Sequence, residues 1–258
     1  MQHGRRLPAE PVSAAEVGAY PAGSGCRDVS RRMRLVTWNC CRGRFERKVP
    51  LLAPLAFDVA VVQECSIPSQ PDASTLWFGD NPTQGVAVVA TPEYELAPLA
   101  TDLELPRYVI PVQVSGPVSF LLLAVWTHRE PTYVDPLLRA IGLFGDQMAA
   151  QPTVVMGDFN SNACWDHQHN PARNHSALVA RLHELGLVSS YHSWTGNAHG
   201  AEDHPTFYFR WRQHEPFHID YCFVPQSWAP KLTSVSVGGY EKWCRASDHR
   251  PLIVDVAL

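Results

Sequence analysis

From Met33 onward the chain alternates short apolar runs with polar turns. The runs Arg34–Trp38, Val59–Gln63, Gly85–Ala90, Val109–Val114, Ser119–Thr127, Thr153–Met156, Thr206–Phe209, Ile219–Val224, Thr233–Val237 and Leu252–Val256 are predicted strands, because Val, Ile, Phe and Trp dominate them. Apolar residues at 134, 137, 138, 141 and 144 have helical spacing and predict a helix over Tyr133–Ala150. Asn174 as a cap and Gly186 as a stop predict another over Asn174–Leu185, and a shorter helix is expected over Val49–Ala56. Strands this numerous with interspersed helices predict a layered α/β domain, two sheets packed face to face with helices outside.

Residues 1–32 lack such a pattern. They are rich in Ala, Gly, Pro and Arg, and a disordered tail is expected there, followed by one domain over 33–258. Arg5-Arg6 is not followed by an apolar segment, which argues against a secretory or twin-arginine signal. The longest apolar run, Val118–Trp126, falls far short of the ~20 residues of a spanning helix. Seven cysteines without a C-x-x-C pair suggest neither a disulfide framework nor a thiolate metal site, so reduced thiols and a cytoplasmic location are expected. A monomer is expected.

The net charge of −4 divides unevenly: residues 1–32 carry +2 and the remainder −6. A domain this acidic does not bind polyanions by bulk electrostatics, so a phosphate substrate requires local basic residues or bound cations.

The polar residues that interrupt this pattern collect at strand ends. Asn39 closes the first strand before a Gly turn, where taken alone it reads first as a turn former. Glu64 closes the apolar run Val-Ala-Val-Val-Gln, and a carboxylate there must be solvated, paired or metal-bound. Asp158 and Asn160 follow Pro-Thr-Val-Val-Met in Gly-Asp-Phe-Asn-Ser-Asn. Asp220 lies in His-Ile-Asp-Tyr, and Asp248-His249 precedes the last strand in Ser-Asp-His-Arg-Pro.

These strings in this order (TWN at 37–39, QE at 63–64, GDFNSN at 157–162, HIDY at 218–221 and SDHRP at 247–251) resemble the endonuclease/exonuclease/phosphatase superfamily, that of deoxyribonuclease I. The surrounding motifs VQECS and NHSALVARLHELGLVSSYH do not match the apurinic-endonuclease pattern and look more like bacterial members of unassigned activity. The resemblance implies a four-layered α/β sandwich of two packed mixed sheets flanked by helices, with the site at one edge. It implies Mg²⁺ or Mn²⁺ held mainly by Glu64, with Asn39 and Asp248 contributing. Oxygen donors without thiolates suit those ions. It implies that Asp158 orients or deprotonates the attacking water, that Asn160 holds a phosphate oxygen, and that Asp220 fixes His249 as an imidazolium. His128, at the end of Phe120–Thr127, matches a second catalytic histidine of deoxyribonuclease-like members; the alternative is an exposed loop histidine before Pro131.

Arg42 and Arg44, with Arg47 and Lys48, are expected at the site mouth, as phosphate contacts or as a solvated turn. Twelve histidines invite a zinc reading at His167-x-His169, but no second metal site is expected. His214-Glu-Pro-Phe-His218 mimics H-E-x-x-H only superficially, because Pro216 and a strand follow Glu215. Trp126, Trp165, Trp194, Trp211 and Trp243 are expected in core or rim packing. The resulting expectation is a metal-dependent phosphodiesterase, a nuclease first, with nucleic acid as partner. The alternatives are a hydrolase of small or lipid phosphate esters, or a catalytically silent binding module.

Overall fold

The computed structural model describes residues 32–70, 72–99 and 104–258. The chain runs β1 (Arg32–Asn39), α1 (Phe45–Lys48), β2 (Val59–Cys65), β3 (Thr75–Asn81), β4 (Gln84–Ala90), β5 (Glu95–Pro98), β6 (Val109–Ser115), β7 (Phe120–Trp126) and α2 (Asp135–Ala150). It continues β8 (Thr153–Asp158), α3 (His175–Glu184), β9 (Leu187–Ser189), α4 (Ser190–Thr195), β10 (Phe207–Tyr208), β11 (Pro216–Phe217), β12 (Asp220–Pro225), β13 (Leu232–Val237), α5 (Tyr240–Trp243) and β14 (Leu252–Ala257). One sheet of six strands has the order β13-β14-β1-β2-β4-β3, and the other, also of six, the order β5-β6-β7-β8-β12-β9. β1–β2 and β7–β8 pair in parallel and the remaining neighbours antiparallel, so both sheets are mixed.

Period-two alternation explains why the strands stack into four layers. Met33 and Leu35 of β1, Val59 and Val61 of β2, and Phe120, Leu122 and Ala124 of β7 share the core between the sheets. Their neighbours face outward. Leu121, Leu123 and Val125 pack on Leu137, Ile141 and Phe144 of α2 and on Leu178 and Leu182 of α3. Val36, Trp38, Ala60 and Val62 pack on Val49, Leu52 and Trp243. Strands covered on both faces read as continuous apolar runs, as Phe120–Trp126 does with every residue buried. Each such side chain contributes about 1.5–3 kcal/mol on full burial.

Several expected boundaries change. Val49–Leu55 is a 3-10 turn and not an α-helix, because Pro50 and Pro54 each lack an N–H donor. The run Thr206–Phe209 shortens to the two-residue β10, followed by a tight turn in which Arg210 and Trp211 have positive φ. The expected tail lies outside the described residues except for Arg32, which opens β1 opposite Ala257. No helix among the described residues is long and apolar enough to cross a membrane.

Candidate active site

The parallel pairs place the C-terminal ends of β1 and β2, and of β7 and β8, at one edge of their sheets. β12 runs antiparallel to β8 with Asp220 opposite Asp158, so a strand start meets a strand end there. The 247–251 segment reaches the same edge because β14 begins opposite the end of β1, with Leu252 facing Thr37. Five segments distant in sequence therefore converge.

Their side chains are joined by hydrogen bonds across the two sheets. Asn39 Nδ2 donates to Glu64 Oε1 at 3.1 Å and to Asp158 Oδ2 at 2.9 Å, the second bond crossing from one sheet to the other. Asp158 Oδ1 accepts the Asn160 backbone N–H at 2.9 Å, and its Oδ2 accepts Asn160 Nδ2 at 3.1 Å. His249 Nδ1 lies 2.9 Å from Asp220 Oδ2, with both side chains buried. One donor atom each of Asp158, Asp220 and His249 falls within 4.8 Å of the other two. Asp220 Oδ1 is buried without a partner.

The backbone is bent to aim these groups. β2 carries a bulge at Glu64, where the register shifts between Gln63 and Cys65 and φ is +64°. A bulge redirects a side chain at a sheet rim, and positive φ in a non-glycine residue is strain retained by its surroundings. Asn160 has φ +47°. Gly157 is a glycine for a steric reason: its φ is +151°, and an added Cβ would stand 1.9 Å from the Val125 carbonyl oxygen.

The electrostatics follow from burial and proximity. Burial, and next the Asp220 carboxylate, push the Asp158 carboxyl up to about 7. For His249, burial alone would lower the value, but the charge and hydrogen bond of Asp220, together with Asp158, raise it to about 9. The raised value favours the imidazolium form of His249 beside the Asp220 carboxylate.

The remaining expected residues are distributed as follows. His128 packs its ring against Trp126 at 4.3 Å and Tyr108 at 5.0 Å, and its Nε2 is buried without a partner. Burial, then the nearby Arg107, lowers its pKa. Asp248 turns its carboxylate toward the Cys41 thiol. Arg42 is exposed with Nε 3.8 Å from Glu64 Oε2, while Arg44 pairs with Glu46 at 3.8 Å. Lys48 turns inward, bonding the carbonyls of Cys40 and Ala246. It is therefore a loop brace and not part of a basic rim.

Sequence reasoning missed the groups that hold this arrangement. Ser247 Oγ donates to the Asn39 carbonyl at 2.7 Å and accepts the His249 N–H at 2.9 Å, tying the last loop to β1. Thr206 Oγ1 accepts the backbone N–H groups of Ile219 and Asp220 at 3.0 and 3.1 Å. Gln84 Nε2 donates to Glu64 Oε2 at 3.1 Å. Arg250 is fully buried between the Tyr208 and Tyr240 rings, each 4.7 Å away, and donates to the Ser247 and His249 carbonyls. Only the adjacency of Ser247 and Arg250 to the Asp-His pair hinted at such roles. A cleft of about 530 Å³ opens beside Asn160, lined by Trp165, Phe207, Phe209 and Phe217 with Arg129 at its rim. The Phe207 ring also packs at a tilt of 42° against His249, with ring centroids 4.6 Å apart.

The model of the Endonuclease/Exonuclease/phosphatase family matches residues 36–249. No curated protein sequence matches the chain. Among solved structures, the chain is similar to a 3′ phosphatase, NExo, from Neisseria bound to product DNA hairpin. The TM-score is 0.65 at 21% identity, covering 88% of this chain and 100% of that one. It is also similar to an AP endonuclease from Archaeoglobus fulgidus, with TM-score 0.63, 16% identity, and coverage of 88% and 100%. An endonuclease/exonuclease/phosphatase from Beutenbergia cavernae aligns with TM-score 0.57 and 16% identity, covering 88% of this chain and 72% of that one. At these identities the likeness shows a shared fold.

Proposed function

This chain belongs to the endonuclease/exonuclease/phosphatase family, and from that premise we propose that it is a divalent-metal-dependent phosphodiesterase that hydrolyses nucleic acid by in-line attack of water. The observation that carries the reading is the junction of Asn39, Glu64, Asp158, Asn160, Asp220 and His249 at one sheet edge. Phosphoryl transfer is catalysed chiefly by positioning and by stabilising charge, and this set supplies both.

The donors fit a hard cation: Glu64, Asn39 and Asp248 offer oxygen, the ligand type of Mg²⁺ and Mn²⁺. When bound there, the ion neutralises phosphate charge and polarises the scissile bond. Asp158 takes the proton of the attacking water, for which its raised pKa suits a base working near neutrality. Asn160 holds a non-bridging phosphate oxygen. Asp220 keeps the His249 proton on Nδ1, and the imidazolium stabilises the negative charge that builds in the transition state. His128 is a further imidazole at the same edge, and Arg42 and Arg44 meet the phosphate backbone.

The cleft beside Asn160 favours a nucleotide over a lipid. Its aromatic lining offers stacking faces for a base, and its rim arginine a phosphate contact. The test is a panel in Mg²⁺ and in Mn²⁺ comprising duplex DNA, single-stranded DNA, RNA, a 3′-phosphorylated hairpin, inositol phosphates and sphingomyelin vesicles. The expected result is turnover of a nucleic acid above every small or lipid ester. Turnover confined to an inositol phosphate or to sphingomyelin assigns the alternative.

A further inference from the structure

A second group of donors gathers where the loop after α4 folds back on β12. His192 of α4, His199 and Glu202 each place one donor atom within 4.8 Å of the other two. His192 Nε2 lies 3.1 Å from Glu202 Oε1, and both side chains are largely buried. The His192 and His199 rings are stacked, with centroids 3.5 Å apart and planes 16° from parallel. Two imidazolium rings at this separation repel strongly, so the arrangement favours neutral rings or a shared cation.

The outer partners direct Nε2 of His192 toward Glu202 Oε1, to which it is hydrogen-bonded and where a cation would replace the shared proton, and leave Nε2 of His199 without a hydrogen-bond partner among the described residues. His192 Nδ1 is engaged by Ser189 Oγ at 2.7 Å, which leaves Nε2 facing Glu202. His199 Nδ1 is engaged by His175 Nε2 at 3.2 Å, which leaves its own Nε2. His175 is fixed in turn by Ser161 Oγ at 3.0 Å. Asn162 Nδ2 lies 3.1 Å from each Glu202 oxygen, and the Gly200 N–H donates to Oε1 at 2.9 Å. This pattern, a ring nitrogen held from behind and an oriented carboxylate, is how proteins aim metal ligands. His218 adds an independent sign. It is 2% exposed, its ring centroid lies 6.0 Å from that of His192, and its Nε2 is buried with no partner. The hydrogen bonds of the cluster leave that acceptor open.

We propose that His192, His199 and Glu202 form a binding site for a zinc-class divalent cation, completed by water. Two imidazole nitrogens and one carboxylate select Zn²⁺ over Mg²⁺, so the site is chemically distinct from the oxygen donors around Glu64. The expectation from sequence was the reverse, because it weighed only the pairs 167/169 and 214/218; the fold brings together histidines from α4 and the loop after it. A cation lies in the plane of each imidazole that binds it, so loading turns the stacked rings apart. The role is structural. The ion ties the 196–204 loop to Asn162, two residues past Asn160, and to His175, and Asn162 and His175 both line the cleft.

The test uses the full chain dialysed against chelator and then titrated with Zn²⁺ in excess Mg²⁺, which fills the oxygen-donor site. Parent and Glu64→Gln proteins are expected to retain one equivalent of zinc after gel filtration. The parent melting temperature should rise by about 5 °C or more at zinc ~100-fold above its dissociation constant. His199→Ala and Glu202→Gln should lose the zinc and the shift while matching the parent's circular dichroism. Ser189→Ala, which keeps all three ligands, should weaken zinc about tenfold. Co²⁺ should give the visible bands of a tetrahedral site in the parent and none in Glu202→Gln. No zinc retained by the parent, or equal zinc in the parent and in Glu202→Gln, overturns the proposal. Neither result bears on Mg²⁺-dependent hydrolysis, which is read separately.

Discussion

His249 and Asp220 form a buried pair, Nδ1 to Oδ2 at 2.9 Å, although 28 residues and all of β13 separate them in the chain. The pair holds His249 protonated, with a pKa raised from the ordinary 6.5 to about 9. Such a raised histidine stabilises the fold fully below pH 6.5, and its contribution is lost as pH rises through about 9. Activity that needs the imidazolium falls over the same window. Asp220→Asn removes the charge and keeps the shape, so kcat should drop ~10²–10⁴-fold and the alkaline limb should move to lower pH. His249→Ala should cost about as much, and the double variant little more, because the two residues act as one unit. The check is a pH–rate profile of the four proteins; additive losses would break the pairing.

Asp158, as the proposed base, should set the opposite limb. Its carboxyl is raised to about 7 in the metal-free protein, chiefly by burial and then by Asp220. Deprotonating a carboxyl whose folded pKa is raised opposes folding, so stability declines between about pH 3.8 and 7 as the proton leaves. A bound cation should pull the value down by favouring the carboxylate. The acidic limb of kcat/KM should therefore shift to lower pH as Mg²⁺ is raised, and the limb should disappear with the activity in Asp158→Asn.

Glu64 sits at the bulge of β2, and its carboxylate accepts Asn39 and Gln84 at 3.1 Å each. In the proposed metal role of Glu64, Glu64→Gln removes the principal negative ligand with little change of shape. Turnover should fall to background with an unchanged melting temperature, and Mg²⁺ titration heat should weaken in parallel. Asn39→Ala should also impair activity, since it removes the amide that links Glu64 to Asp158 across the sheets.

Gly157 lies one residue before Asp158, where β7 and β8 approach too closely for any side chain. Gly157→Ala places a Cβ against the Val125 carbonyl and strains a φ of +151°. The expected loss is about 3 kcal/mol or more, seen as a lowered denaturation midpoint together with reduced activity.

The layers and most site residues were legible because burial on both faces writes strands as apolar runs, and the polar residues that end them stand out against that background. Glu64 and Asp158 could be found in this way. β3 and β5 could not: Trp77-Phe78-Gly79-Asp80 and Glu95-Leu96-Ala97-Pro98 mix polar residues, glycine and proline into partly exposed edge strands. Ser247, Thr206 and Gln84 were hidden for another reason. They act by single hydrogen bonds between segments, and no period or spacing marks a hydroxyl that will meet a backbone amide in the folded chain. The His192–His199–Glu202 group was invisible likewise, since its geometry depends on how a loop returns to its own helix.

Hydrolysis of a nucleic-acid phosphoester at the Asn39–Glu64–Asp158–Asp220–His249 edge can be read from one comparison. Parent and Asp158→Asn proteins are incubated with an end-labelled DNA hairpin in Mg²⁺, and both cleavage and hairpin binding are followed. Cleavage by the parent is expected, and in Asp158→Asn a rate at least ~10³-fold lower with the hairpin still bound. Cleavage by Asp158→Asn at the parent rate, or a parent that turns over no nucleic acid while hydrolysing a small phosphate ester, would contradict nucleic-acid hydrolysis at that edge.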